Sequence, residues 1–147
     1  MAEAVLLAVK LVFLTEFHLD GVRARAAFSD NTVGTLLASH KDFGYYTEVL
    51  GNAYARKEPV GAALVSGSIE EVVPAREGTP IYIADANNER ITVRFQEHAA
   101  MYALKKDNPE FGRIFDLLER SRLAKVRLWF VVRGPRPVID DAAPFVR

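Results

Sequence analysis

A chain of 147 residues, half of them hydrophobic (50%) and a quarter charged (26%), can bury a core of its own, which excludes a disordered or fibrous polypeptide. Nineteen basic residues balance nineteen acidic ones, so no overall field draws the molecule to nucleic acid or to an anionic membrane. The lack of cysteine excludes disulfides, thiol chemistry and Cys-bound zinc, and it suits a reducing, cytoplasmic setting.

The apolar run of residues 4–14 is interrupted by Lys10 and is about half the length of a membrane span, so no membrane association is expected. It also lacks the basic start and the small-residue cleavage site of a signal peptide. Repeated Leu and Ala in residues 3–17, a stretch longer than ten, point to a buried helix. Asp20-Gly21 makes a turn, and residues 22–28 alternate small apolar with basic side chains, as a half-exposed strand does. Ser29-Asp30-Asn31 offers an N-cap for a short helix over residues 32–37. Phe43, Tyr46, Val49, Leu50 and Tyr54 then recur at helical spacing, which predicts a helix within residues 41–56 that ends before Pro59.

Beyond Pro59 the pattern becomes β. Residues 60–73 read as one long strand bent at Gly61, Ser66 and Gly67. Residues 80–85 and 90–96 form a hairpin through Ala86-Asn87-Asn88-Glu89. Residues 97–106 read as a short helix. Asp107-Asn108-Pro109 opens a second one, whose buried stripe is Phe111, Ile114, Phe115 and Leu118. Residues 124–133 and 138–140 are two further strands around Gly134-Pro135-Arg136-Pro137. With no repeat evident at any period and no linker, the expectation is a single α+β domain over residues 1–147. In it a mainly helical section, residues 1–59, packs on a β-rich section, residues 60–147.

No phosphate-binding glycine loop, nucleophile elbow or two-histidine zinc helix is present, and His18, His40 and His98 are scattered. No cofactor, metal or catalytic residue is therefore assigned. Glu16, His18 and Asp20 would share one face of an extended strand, which makes them the cluster a small enzyme would use. Splitting the later strands by the period of two gives a sharper pattern. Ile91, Val93 and Phe95 oppose Arg90, Thr92 and Arg94, and Leu128, Phe130 and Val132 oppose Arg127, Trp129 and Arg133. If those strands share a sheet, Arg90, Arg94, Arg127 and Arg133 surround Trp129, with Tyr82 beside them. Single-stranded nucleic acid binding uses such arrangements, because bases stack on rings while cations hold phosphates.

The succession Val65-Ser66-Gly67-Ser68-Ile69, Ile81-Tyr82-Ile83-Ala84-Asp85, Ile91-Thr92-Val93-Arg94-Phe95, Leu117-Leu118 and Val126-Arg127-Leu128-Trp129-Phe130 resembles an OB-fold over residues 60–146. The resemblance is one of element order. It implies a strongly bent antiparallel sheet or partly open barrel, with a helix between strands three and four and N-terminal helices against it. It also implies ligand binding on the outer face of the second and third strands. The resulting expectation is a non-enzymatic binding module for single-stranded nucleic acid or a protein partner, the alternative being an oligomer-forming protein with no nucleic-acid role.

Overall fold

The computed structural model describes residues 9–132 and 137–145. Twelve strands and two helices follow one another as β1 (Lys10–Val12), β2 (Leu14–Leu19), β3 (Arg23–Phe28), β4 (Val33–Leu37), α1 (Phe43–Arg56), β5 (Val60–Val65), β6 (Ser68–Pro74), β7 (Arg76–Gly78), β8 (Pro80–Asp85), β9 (Arg90–Phe95), β10 (Met101–Lys105), α2 (Phe111–Ala124), β11 (Leu128–Val132) and β12 (Ile139–Pro144). The class is α+β, as expected. Among the described residues no helix is long and apolar enough to cross a membrane.

The first half corrects the sequence reading. In place of N-terminal helices, the described part of residues 3–17 holds β1 and most of β2, and residues 32–37, predicted as helix, hold β4. The long bent strand expected over residues 60–73 is a hairpin, β5 and β6. Its two turn residues, Ser66 and Gly67, both have positive φ (50° and 79°), the backbone that tight hairpin turns require. Residues 97–106, also predicted as helix, hold β10. The helices over residues 41–56 and after Asn108, and the hairpin of β8 and β9, stand where the sequence places them.

The chain is a structural duplication. Strand, three strands, helix, two strands occur twice, over β1–β6 and again over β7–β12. Both helices run fourteen residues, open on Phe-Gly, and end on a lysine with left-handed backbone, Lys57 (φ 58°) and Lys125 (φ 57°). These counterparts lie 68 positions apart, as do Leu36 and Leu104, and Leu50 and Leu118. The pairing is duplicated too. The six-stranded sheet runs β1-β5-β6-β4-β3-β2, and the second half has β7-β11-β12 beside β10-β9-β8, joined by a parallel bridge from Ala103 to Val138. The first half makes the same link by pairing Thr35 with Ser68 in parallel. Register irregularities recur at matching places, Ala63/Leu64 and Val131/Val132, and Leu14/Glu16 and Pro80/Tyr82. The two halves meet near Ala75 rather than near Pro59, and neither sheet closes into a barrel.

Each helix covers one face of its own sheet. Phe28, Leu36, Leu50 and Ile69 fill the first core; Phe95, Leu104, Leu118 and Ile139 fill the second. Burying these branched and aromatic side chains is the main stabilising term, worth about 1.5–3 kcal/mol for each one. The helix-free faces then meet at one end of each sheet, where Val9, Ala63 and Val131 form a third cluster with Leu11 and Val73. The contact is one-sided, with Val131 of the second half seated among Val9, Leu11, Ala63 and Val73 of the first. Gly61 permits it, since a Cβ there would lie 2.6 Å from Val9 and 2.7 Å from Val131. At the seam Leu11 N–H donates to Asp141 Oδ2 (2.7 Å), and Arg113 Nη2 donates to Asp141 Oδ1.

Candidate binding face

With the halves joined at β5 and β11, the far end of each helix-free face is left open. In the second half this is the outer surface of β8, β9 and β10. Cross-strand register sets its composition in rows: Tyr82, Arg94 and Met101; then Ala84, Thr92 and Ala103; then Arg90 and Lys105. Directly opposite residues project from the same side. Their neighbours Ile91, Val93, Tyr102 and Leu104 point the other way and are buried under α2.

The rows form a basic surface with an apolar margin. Tyr82 is 49% exposed, Met101 49%, and Arg90, Arg94 and Lys105 are exposed as well. No acidic side chain stands in these rows, and Glu89 and Asp107 border them at the Arg90 and Lys105 end. Asp85, on the rim, is neutralised by Lys106 Nζ at 2.9 Å. The matching face of the first half is mixed in charge, because Glu16 and His18 on β2 lie beside Arg25 on β3.

The structure divides the six residues expected to form one face. Tyr82 and Arg94 are directly opposite each other, and Arg90 lies further along the same side of β9. Trp129 and Arg127 are elsewhere. β10 and β12 stand between β9 and β11 in the strand order, and what β9 and β11 bring together is the buried pair Phe95 and Phe130, with ring centroids 4.2 Å apart, rather than their outward side chains. Trp129 is 3% exposed and stacks on Phe145 with ring centroids 4.9 Å apart, so it offers no platform to a base. Among the described residues its indole N–H has no hydrogen-bond partner. Arg127 is held between carboxylates, 3.4 Å from Glu77 and 3.8 Å from Glu97. Arg133 lies outside the described residues.

Glu97 is the anchor of that second group. Burial pushes its carboxyl up, but hydrogen bonds from Thr79 N–H (2.7 Å) and Thr79 Oγ1 (2.8 Å), with the Arg127 guanidinium beside it, hold it below the usual carboxylate range. Arg127 and Glu97 thus belong to a structural tie between β7, β8 and the start of β11.

Of the Glu16, His18 and Asp20 cluster, Glu16 and His18 stand on one side of β2, whereas Asp20 lies beyond its end. Asp20 accepts hydrogen bonds from Val22 N–H (2.8 Å) and Arg23 N–H (2.9 Å), which hold its carboxyl below the ordinary range and commit it to the β2–β3 turn. His40 Nδ1 faces Asp42 N–H, and His98 Nε2 lies 2.9 Å from the Glu77 carbonyl. Among the described residues no three His, Asp or Glu side chains are placed to hold a metal ion.

The β10 members of the open face, Met101, Ala103 and Lys105, escaped the sequence reading. The signal was present, since Tyr102 and Leu104 alternate with them at the period of two, but Ala, Met, Leu and Lys are also strong helix formers. Comparison with protein-family models, curated proteins and solved structures finds no match.

Proposed function

We propose that this chain is a non-enzymatic binding module that takes an anionic, extended ligand on the open face of β8, β9 and β10. The observation that carries the reading is an uncovered sheet surface bearing Arg90, Arg94 and Lys105 around Tyr82 and Met101, with no carboxylate among them. The ligand it favours is an acidic segment of a partner protein. Aromatic, Met and Arg side chains are the types enriched at protein interfaces, and the buried Trp129 and neutralised Arg127 take away two groups a nucleic acid would use. Single-stranded nucleic acid is kept as the second reading on one feature, an exposed ring, Tyr82, directly beside the cation of Arg94. The cysteine-free composition suits either role in the cytoplasm.

Fluorescence anisotropy tests the proposal with a labelled acidic peptide and a labelled oligothymidine. The peptide should bind at low salt, weaken as ionic strength rises from about 50 to about 300 mM, and be lost in Arg94→Glu. No binding of either probe at about 100 μM protein, or binding untouched by Arg94→Glu, removes the reading. Stronger binding of the oligonucleotide, abolished by Tyr82→Ala, would turn it to nucleic acid.

A further inference from the structure

The duplication supplies an internal control for the sheet edges. β2 and β8 are counterparts and each borders its sheet. An exposed edge strand leaves half its backbone N–H and C=O groups unpaired, and proteins ordinarily guard such an edge with charged side chains. β2 follows that rule, with exposed Glu16 and His18 on a Leu-Thr-Glu-Phe-His-Leu strand. β8 carries such a guard only at its end, where the exposed Asp85 pairs with Lys106; from Pro80 to Ala84 it has no charge, and Ile81 (52%) and Tyr82 (49%) are exposed. Ile81 is also the extra residue at the register shift, displayed at the rim rather than paired with β9.

We propose that β8 is an acceptor edge, to which an extended acidic segment of a partner protein adds as a further strand; this rests on the open-face reading above and specifies how the ligand is held. Main-chain hydrogen bonds to β8 supply the register, and every second side chain of the added strand lies over the outer face next to Tyr82. Arg94, one strand further in and opposite Tyr82, reaches toward carboxylates at those positions. The side chains between them face Ile81 and the rim. An acidic occupant is chosen over a second copy by charge: the one carboxylate of β8, Asp85, is opposite Ile91 on the side away from Arg94 and is paired with Lys106, so two β8 edges bring none to Arg94, whereas an acidic strand does.

The test uses the full chain and an acetylated, amidated peptide alternating Glu with Val. Two companions accompany it, one with Lys in place of Glu and one N-methylated on alternate backbone nitrogens. The Glu peptide should bind, the Lys peptide should not, and N-methylation on the bonding set should weaken binding by about tenfold or more. Amides of β8 should gain protection from hydrogen exchange in the complex. Ile81→Lys and Arg94→Glu, both at exposed positions, should each weaken binding without lowering Tm. Binding indifferent to N-methylation, with no new protection on β8, overturns strand addition. If Arg94→Glu still abolishes that binding, the open-face reading survives alone. If Arg94→Glu changes nothing, both fall. A dimer seen by light scattering and broken by Ile81→Lys would assign the edge to a second copy and overturn the acidic segment as occupant.

Discussion

Asp141 ties the two halves together, and its removal has a calculable cost. The residue is 8% exposed, and its carboxylate accepts from Leu11 N–H, from Arg113 Nη2 and from Ala142 N–H at 2.9 Å. The bond from Leu11 joins residues 130 positions apart, at an edge strand of only three residues. A hydrogen bond to a charged group is worth about 1.5–3 kcal/mol net. The pair with Arg113 adds less, about 0.5–1 kcal/mol, because 47% of that arginine side chain is in water and screens it. Asp141→Asn keeps the shape but sets an amide N–H against either Leu11 N–H or the guanidinium, so most of the sum, about 2–4 kcal/mol, is lost. For a chain of this size the fall in Tm is about 5–15 °C. Urea and thermal unfolding of Asp141→Asn, Arg113→Ala and the double variant measure it, with hydrogen exchange at Leu11 as the local readout. A Tm drop under about 2 °C, or unchanged exchange at Leu11, would refute the claim that this carboxylate fastens β1 to the second half.

Glu97→Gln should lower stability at neutral pH by about 1–2 kcal/mol, since the two bonds from Thr79 and the Arg127 pair are weakened while a third of the Glu97 side chain is in water. The Glu97 carboxyl is held low in the fold, so its contribution is full above the unfolded value near 4.3 and disappears as pH falls through the folded value. The gap between the two proteins should therefore close in acid, and urea titrations giving a constant gap down to about pH 2 would contradict this. Trp129→Ala should cost about 3–5 kcal/mol through the void left beneath Phe145, whereas Trp129→Phe, which removes an unpartnered N–H, should change stability by about 1 kcal/mol or less. Peptide binding should be unchanged in Trp129→Phe, and its loss would place the indole at the ligand. Gly61→Val should cost about 1–3 kcal/mol or more by forcing the halves apart. Gly44→Ala, in open space in the first turn of α1, should be neutral or stabilise by up to about 1 kcal/mol, and urea midpoints compare the two.

How much was legible in the sequence depended on whether local pattern and tertiary demand agreed. α1 and α2 were readable because their apolar stripes repeat every three or four residues and are buried against a sheet: Tyr46, Leu50 and Ala53, and Ile114 and Leu118. The β8–β9 hairpin was readable because Asn87 favours a turn, and its Oδ1 does accept from Glu89 and Arg90 N–H. Residues 32–37 were not, because Ser29-Asp30-Asn31 looks like an N-cap whereas Asp30 accepts from Thr32 in a turn, nor were residues 97–106, because Ala, Met, Leu and Lys favour helix in isolation; only pairing to β3 and β9 makes strands of them. The duplication was hidden for a related reason. Core positions ask for an apolar volume rather than a given residue, so Gly34 stands where Tyr102 does and Gly61 where Trp129 does, each sized by its own neighbours.

The sequence by itself therefore determined the class, the two helices, and the alternation that turns Arg90 and Arg94 away from Ile91 and Val93. Only the tertiary structure decided which of the basic and aromatic residues share a surface. That is because strand order is set by contacts between residues far apart in the chain: the β10–β12 bridge puts two strands between Arg94 and Trp129, and the packing on Phe145 closes Trp129 from water. Tyr82, Arg90 and Arg94 remain together on the open face, joined by Met101 and Lys105 from a strand that folds as one only because β9 is there to pair with it.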